Sequence, residues 1–174
     1  NNTFLASYLT CGTMIILESK MASCNINKRG GAWMDDCIGR KRNADGSIQK
    51  PVAYLTCNFN APIGDKPALF THDEVTTLFH EFGHGIHHML TKVDVPDVAG
   101  INGVPWDAVE LPSQFMENWC WEKEALDFIS GHFETHEPLP EEKLNQLLKA
   151  KNYQAAMFVL RQLEFGLFDF TLHH

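Results

Sequence analysis

The sequence lacks any apolar run long enough to cross a membrane. Phe4–Leu17 is its best candidate, but polar residues break it and a spanning helix needs about 20 apolar residues. The same stretch lacks the basic start of a secretory signal. Basic charge is scarce too: 14 Lys and Arg stand against 22 Asp and Glu, a net charge of −8. Binding to phosphates needs a basic surface, so nucleic acid is not an expected partner. The basic clusters, Lys28–Arg29 and Arg40–Arg42, read as solvated loops. Cysteines number five, at 11, 24, 37, 57 and 120, an odd count with no C-x-x-C pair. That suits reduced, mostly buried thiols in a soluble intracellular protein, with Cys57 and Cys120 as core residues. No internal repeat is present. A chain of 174 residues can bury one core, although a piece of a larger domain need not do so alone.

What the chain does have is histidine, nine in all, and five residues that use two of them. Residues 80–84 read His-Glu-Phe-Gly-His, an H-E-x-x-H pentad. Two histidines four apart fall on one helical face and can reach a single metal ion, with the intervening Glu81 placed to activate a metal-bound water. Such a pentad also arises by chance, so its context matters. Thr71-His72-Asp73-Glu74 has the form of a capping box, and Asp73 and Glu74 complement the positive end of a helix dipole. Val75, Leu78, Phe79, Phe82, Ile86, Met89 and Leu90 then recur at helical spacing, with His80, His84 and His87 on the other side. One face is expected in a core and the other in a polar cavity. Gly83 and Gly85 each cost about 1 kcal/mol against Ala in a helix. Close approach of another backbone or a substrate, or tight helix packing, would account for them.

A catalytic zinc site usually holds three protein ligands and leaves a fourth position to water. His87, His88 and a later acid compete for the third place. His87 lies about 10.5 Å along the axis from His80, an awkward reach. Glu110 is the better choice. Trp106–Trp119 reads as a two-faced helix, with Asp107, Glu110, Gln114 and Glu117 on its polar side and Ala108, Leu111, Phe115 and Trp119 on its apolar side. Packed against the first helix, it would carry Glu110 to the histidines. A metal-bound histidine usually donates its second N–H to a carboxylate or carbonyl, and Asp107 or Glu117 could accept it.

His80–Met89, taken with Val109-Glu110-Leu111-Pro112-Ser113-Gln114-Phe115-Met116-Glu117-Asn118-Trp119, resembles the thimet oligopeptidase family of zinc metallopeptidases, and looks most like its bacterial members. The likeness runs from Lys28 to His174 and includes Pro51–Asn60 and Asn152–Phe170. The resemblance implies that His80, His84 and Glu110 bind one zinc ion and that Glu81 is the general base. It implies a mainly α fold with a small β portion: a zincin-like H-E-x-x-H helix, a second helix carrying the glutamate, and a larger helical catalytic domain around them. It also implies a cytoplasmic enzyme that cleaves short peptides in a deep channel. Family members are several times longer and carry, further on, a segment of His, Tyr and Gly residues that binds substrate and stabilises the transition state. The sequence is therefore expected to comprise an unmatched segment, residues 1–27, and a partial catalytic domain, residues 28–174, with an incomplete site.

Zinc held by two imidazoles and a carboxylate would keep an open position, lower the pKa of bound water toward about 7 and polarise the scissile carbonyl. Glu81 would take the water's proton and pass it to the leaving amine. The competing readings are a non-catalytic zinc-binding fragment and a structural helical one whose histidines line a polar core. Retention of Glu81 favours the enzyme, because neither alternative needs a base there.

Elsewhere, Ala32–Ile38 and Val52–Phe59 read as strands joined by the turn-rich Gly39–Lys50, a hairpin with a long loop. Val52–Phe59 is either an ordinary strand or an edge that aligns an extended peptide through its backbone. Pro62–Pro67 leads into the metal helix, and Val95–Pro105 is a loop between the two site helices. Asp127 to Glu142 reads as solvated surface. Glu141–Ala150 is a short helix, and Tyr153–Phe170 a long, mostly buried one whose apolar surface is exposed if the downstream segment is missing.

Overall fold

The computed structural model describes residues 31–57, 59, 65 and 68–174, with 13–15 and 20–21 placed as strands. The Lys28–Arg29 pair, Cys11, Cys24, most of residues 1–27 and all of Pro62–Pro67 but Asp65 lie outside the described residues. The strands are β1 (Thr13–Ile15), β2 (Lys20–Met21), β3 (Trp33–Ile38), β4 (Lys41–Arg42), β5 (Ile48–Gln49) and β6 (Val52–Thr56). The helices are α1 (His72–Met89), α2 (Leu111–Glu117), α3 (Lys123–Ile129), α4 (Glu141–Lys151) and α5 (Ala155–His173), with 3-10 turns at Pro96–Val98 and Asn118–Trp121. The fold is thus mainly helical with a small β portion. None of these helices is long and apolar enough to cross a membrane.

The larger sheet runs β2-β1-β6-β3, with every neighbouring pair antiparallel. The expected hairpin of β3 and β6 forms, with Met34 opposite Leu55 and a register shift between Asp36 and Ile38. Its long connection folds back on itself as the small β4–β5 hairpin. Asp45 closes that turn by accepting from the Ser47 N–H at 2.9 Å, and Gly46 takes the positive φ of +85° that a side chain would resist. Because β6 is paired on both sides, it is an interior strand. Its Val52, Ala53 and Leu55 are buried, and the Leu55 side chain packs against Gly85 of α1. The edge beside α1 belongs to β3 instead, so of the two readings of Val52–Phe59 the ordinary strand holds: its backbone groups are already spent on two neighbours.

The arginines of 40–42 are not simply solvated. Arg40 Nε and Arg42 Nη2 clasp the two oxygens of Asp94 at 2.8 and 2.6 Å, tying the β4 turn to the chain leaving α1.

Thr71 caps α1 as its sequence predicts. Its Oγ1 accepts the Glu74 N–H at 3.2 Å, and Glu74 Oε2 accepts the Thr71 N–H at 2.7 Å. At this end of the helix a small apolar core gathers Ala68, Phe70, Val75 and the thiol of Cys120, with Phe59, Phe79 and Trp121 against it. Cys57 and Cys120 are buried as expected, whereas Cys37 is exposed.

Further along α1 the packing inverts the amphipathic expectation. The buried positions are Glu81, Gly83, His84, Gly85 and His88, while Leu78, Phe79, Phe82, Ile86 and Met89 are only half-buried and Leu90 is 72% exposed. Hydrophobic period shows that a helix has two faces, but not which one neighbouring elements approach. Here the two glycines open the polar side to close contact. A methyl group on Gly85 would lie 3.2 Å from the Leu55 side chain of β6, and one on Gly83 only 2.6 Å from the Pro112 carbonyl and the Ser113 Cα.

The second site helix is shorter than its two-faced pattern suggests. Residues 106–110 form turns, with Ala108 donating to the Pro105 carbonyl at 2.9 Å and Leu111 to that of Ala108 at 3.2 Å; α2 follows. Pro112 explains the delay. Its ring would strike the carbonyl of Ala108 in a continuous helix, whereas in a first turn its missing N–H costs nothing. The apolar side of this segment is exposed at Trp106, Leu111 and Phe115.

The described residues fall into two compact units divided after Pro138. In the second, α4 covers the expected Glu141–Ala150 and α5 the expected long helix. The burial predicted for α5 is absent, and Phe158, Leu167, Phe168 and Phe170 all lie open. A helix apolar on every side needs cover on every side, more than one short companion can give. The acids of 127–142 are exposed, as expected, but Lys123–Ile129 is a helix that the sequence reading passed over.

Candidate metal centre

Helix α1 places His80 and His84 one turn apart, with ring centroids 5.0 Å apart and planes at 82°. Glu110, the residue that begins α2, reaches both. Its Oε2 lies 3.1 Å from His80 Nε2 and 3.2 Å from His84 Nε2. Among the described residues, these three are the group of His, Cys, Asp or Glu side chains whose donor atoms all fall within 4.8 Å of one another. His87 and His88 stay apart from it. His88 is fully buried and bonded elsewhere, and His87 Nδ1 is buried with no partner among the described residues.

The approach that brings Glu110 in is the Gly83 contact, where the start of α2 lies directly against α1. Ser113, fully buried at that crossing, was not picked out from the sequence. Its hydroxyl lies 2.8 Å from Glu110 Oε2 and 2.8 Å from the Glu110 carbonyl, and so can donate to either. The signal was there: a small hydroxyl residue three positions after the residue that opens a helix is an ordinary local partner for it. Burial alone would raise the Glu110 carboxyl, but the Ser113 hydroxyl and the two imidazoles outweigh it and hold Glu110 below its ordinary value.

Glu117, the last residue of α2, lies 2.6 Å from His80 Nδ1. Asp107, the other acid considered for this contact, is exposed and bonded to neither histidine. His84 Nδ1 is buried and finds no acceptor among the described residues. Burial, the largest influence, pushes the His84 imidazole below its ordinary value against the opposing pull of Glu110.

Glu81 points to the same side and is 6% exposed. Burial raises its carboxyl pKa, with Glu110 adding to the rise, while His80 and the Met34 backbone N–H oppose it. The Met34 contact is the second feature missed from sequence, because it depends on a backbone group of β3. The site opens into a cavity of about 430 Å³ whose apolar walls include Trp33 and Met34 from β3, Val104, Trp106 and Val109.

This geometry joins two nitrogen donors, one oxygen donor and a buried carboxylate of raised pKa at the mouth of an open cavity. Comparison with known proteins agrees with it. Oligopeptidase A of Haemophilus influenzae is 86% identical over 148 residues, which cover 85% of this chain and 22% of that protein. Oligopeptidase A of Escherichia coli is 78% identical over 147 residues, covering 84% of this chain and 22% of that protein. The thimet-like oligopeptidase of Dictyostelium discoideum is 47% identical over 132 residues, or 75% and 20%. The chain thus spans about a fifth of the length of these relatives. The profile of Peptidase family M3 matches residues 23–174, and with the His-Glu-x-x-His helix and its facing glutamate inside that match, the chain belongs to this family.

Proposed function

We propose that this chain carries the metal-binding core of a zinc-dependent endopeptidase of the oligopeptidase type, acting on short peptides. In this reading His80, His84 and Glu110 hold the ion, Glu81 is the general base, and residues 28–174 form part of the catalytic domain. The observation that carries it is the single Glu110 oxygen lying between both imidazoles at 3.1 and 3.2 Å. Ligands on a tetrahedral zinc at about 2.0–2.1 Å would stand roughly 3.3–3.4 Å apart, close to the spacing of Glu110 from each imidazole. Two imidazoles and a carboxylate are also the donor set that suits catalytic zinc.

Bound there, zinc would supply Lewis acidity toward a peptide carbonyl and make an attacking water easier to deprotonate. The chain's residues do the rest. Glu81 accepts that water's proton and returns it to the leaving amine; its raised pKa keeps it from being too weak a base. The nearby Met34 backbone N–H favours the charged form of that carboxylate. Glu117 takes the Nδ1 hydrogen of His80 and leaves Nε2 free to ligate. The β3 edge offers an extended peptide backbone hydrogen bonds beside the cavity, a mode tolerant of varied side chains. A cytoplasmic location, where free thiols stay reduced, fits this reading.

The test measures zinc in the purified protein and in His80→Ala, His84→Ala, Glu110→Ala and Glu81→Gln, then hydrolysis of quenched fluorescent peptides by the full-length protein. One zinc per chain, lost in the first three and kept in Glu81→Gln without turnover, is expected. Near-normal turnover in Glu81→Gln removes Glu81 as the base. Zinc without any turnover in the full-length protein favours a non-catalytic metal site.

A further inference from the structure

Helix α1 carries a third histidine of the same spacing, four residues beyond His84, and it does something other than ligate. His88 is fully buried. Its Nε2 lies 3.0 Å from the carbonyl of Ile38, the last residue of β3, and its Nδ1 lies 3.4 Å from the backbone N–H of Ile101. A carbonyl can only accept and a backbone N–H can only donate, so the pair of contacts matches the Nε2–H tautomer, donating to Ile38 and accepting from Ile101. The ring therefore joins α1 to the two segments that complete the site. Strand β3 brings Met34 to Glu81, and the segment starting at Gly100 runs on to Glu110.

The loop is shaped to meet this ring. Gly100 holds φ at +63°, and a methyl group there would lie 2.5 Å from His88 Nδ1 and 2.8 Å from its Cα. Only a glycine lets the backbone pass so close. One other link joins the same two segments, Asn102 Nδ2 donating to Asp36 Oδ2 at 2.9 Å, but it bypasses α1. Resting on the zinc-site reading above, we propose that His88 is a positioning residue: by bonding β3 and the 100–110 segment to the metal helix, it holds Glu110 in register with His80 and His84.

Coupling of this kind works in both directions. If the His88 link favours the geometry that binds metal, metal binding must favour the link. Zinc affinity is read by competition with a chromophoric chelator, and ligand number from the visible absorption of the cobalt-substituted protein. His88→Leu keeps bulk and removes both bonds; it is expected to weaken zinc binding about tenfold or more and to shift the cobalt spectrum. His88→Gln keeps a donor and an acceptor and is expected within about threefold of wild type, as is Asn102→Ala, which leaves the ring's bonds intact. In the unsubstituted protein, zinc should slow hydrogen exchange at the Ile101 amide and move the His88 ring nitrogen resonances, a readout independent of how the variants fold. Equal zinc affinity and cobalt spectra in wild type and His88→Leu, or Ile101 exchange and His88 resonances unchanged by zinc, would overturn the proposal while leaving the metal site standing. Failure of the wild-type protein to bind zinc would overturn the metal site and, with it, this inference.

Discussion

Replacing Gly83 with alanine separates helix propensity from packing at the point where the site is assembled. In an isolated helix the change is favourable by about 1 kcal/mol. In the structure the added methyl would meet the Pro112 carbonyl oxygen and the Ser113 Cα at 2.6 Å, against an ordinary contact of 3.4–4 Å. The obstacle is backbone at the start of α2, so it cannot swing aside like the end of a side chain. Relief requires the two segments to part by about 0.8 Å, and overpacking of this kind costs typically about 2–3 kcal/mol at its upper end. The net expectation is destabilisation by roughly 1–2 kcal/mol. Because Ser113 and Glu110 move with that backbone, zinc affinity should fall as well. Gly85→Ala is the control. Its methyl would touch only the Leu55 side chain at 3.2 Å, which can turn, so the propensity gain should leave it near neutral. Urea unfolding of both variants, followed by circular dichroism with and without zinc, measures the difference. A Gly83→Ala protein as stable as wild type, with undiminished zinc affinity, would show that the α1–α2 crossing is not as tight as this geometry requires.

Glu117→Gln should weaken zinc binding by about 10–100-fold through loss of the His80 contact, while Asp107→Asn should leave it unchanged; chelator competition on both tests the choice between the two acids. Asp94 is held below its ordinary value of 3.8, first by the Arg40 hydrogen bond. A depressed carboxyl stabilises the fold above its unfolded pKa and loses that contribution as pH falls through its folded pKa. Asp94→Asn should therefore flatten the loss of stability below about pH 4, and acid unfolding curves as steep as wild type would refute the clasp. The thiol of Cys120 is pushed up to about 11 by burial. With peptide mapping of alkylated native protein at pH 8, Cys37 should be modified readily and Cys120 and Cys57 only on unfolding; prompt labelling of Cys120 would contradict its burial.

Local rules made much of this protein legible from its sequence. Thr71 and Glu74 announce the start of α1 because a capping box is settled within four residues. His80, Glu81 and His84 share a side because helical period alone determines it, whereas the two-faced pattern of Trp106–Trp119 hid the later helix start that Pro112 imposes. The polar side of the Trp106–Trp119 pattern singled out Glu110 as partner, and the family likeness implied the same residue. Tertiary structure alone decided the remainder. The side of α1 that is buried was set by what could approach Gly83 and Gly85, not by the apolar stripe. The Met34 N–H joined the site because β3 folds beside α1, which leaves no pattern in side-chain spacing, whereas Ser113 meets Glu110 through a local three-residue spacing. Strand β6 lost its place as an edge to β3 because strand order depends on pairing with β1, a neighbour distant in sequence. His88, indistinguishable by spacing from a metal ligand, became a link between segments because a carbonyl at 38 and an amide at 101 happened to flank it. Periodicity and caps are fixed by covalent distance along the chain; which surfaces meet is fixed by the summed packing of segments that come together only when folded.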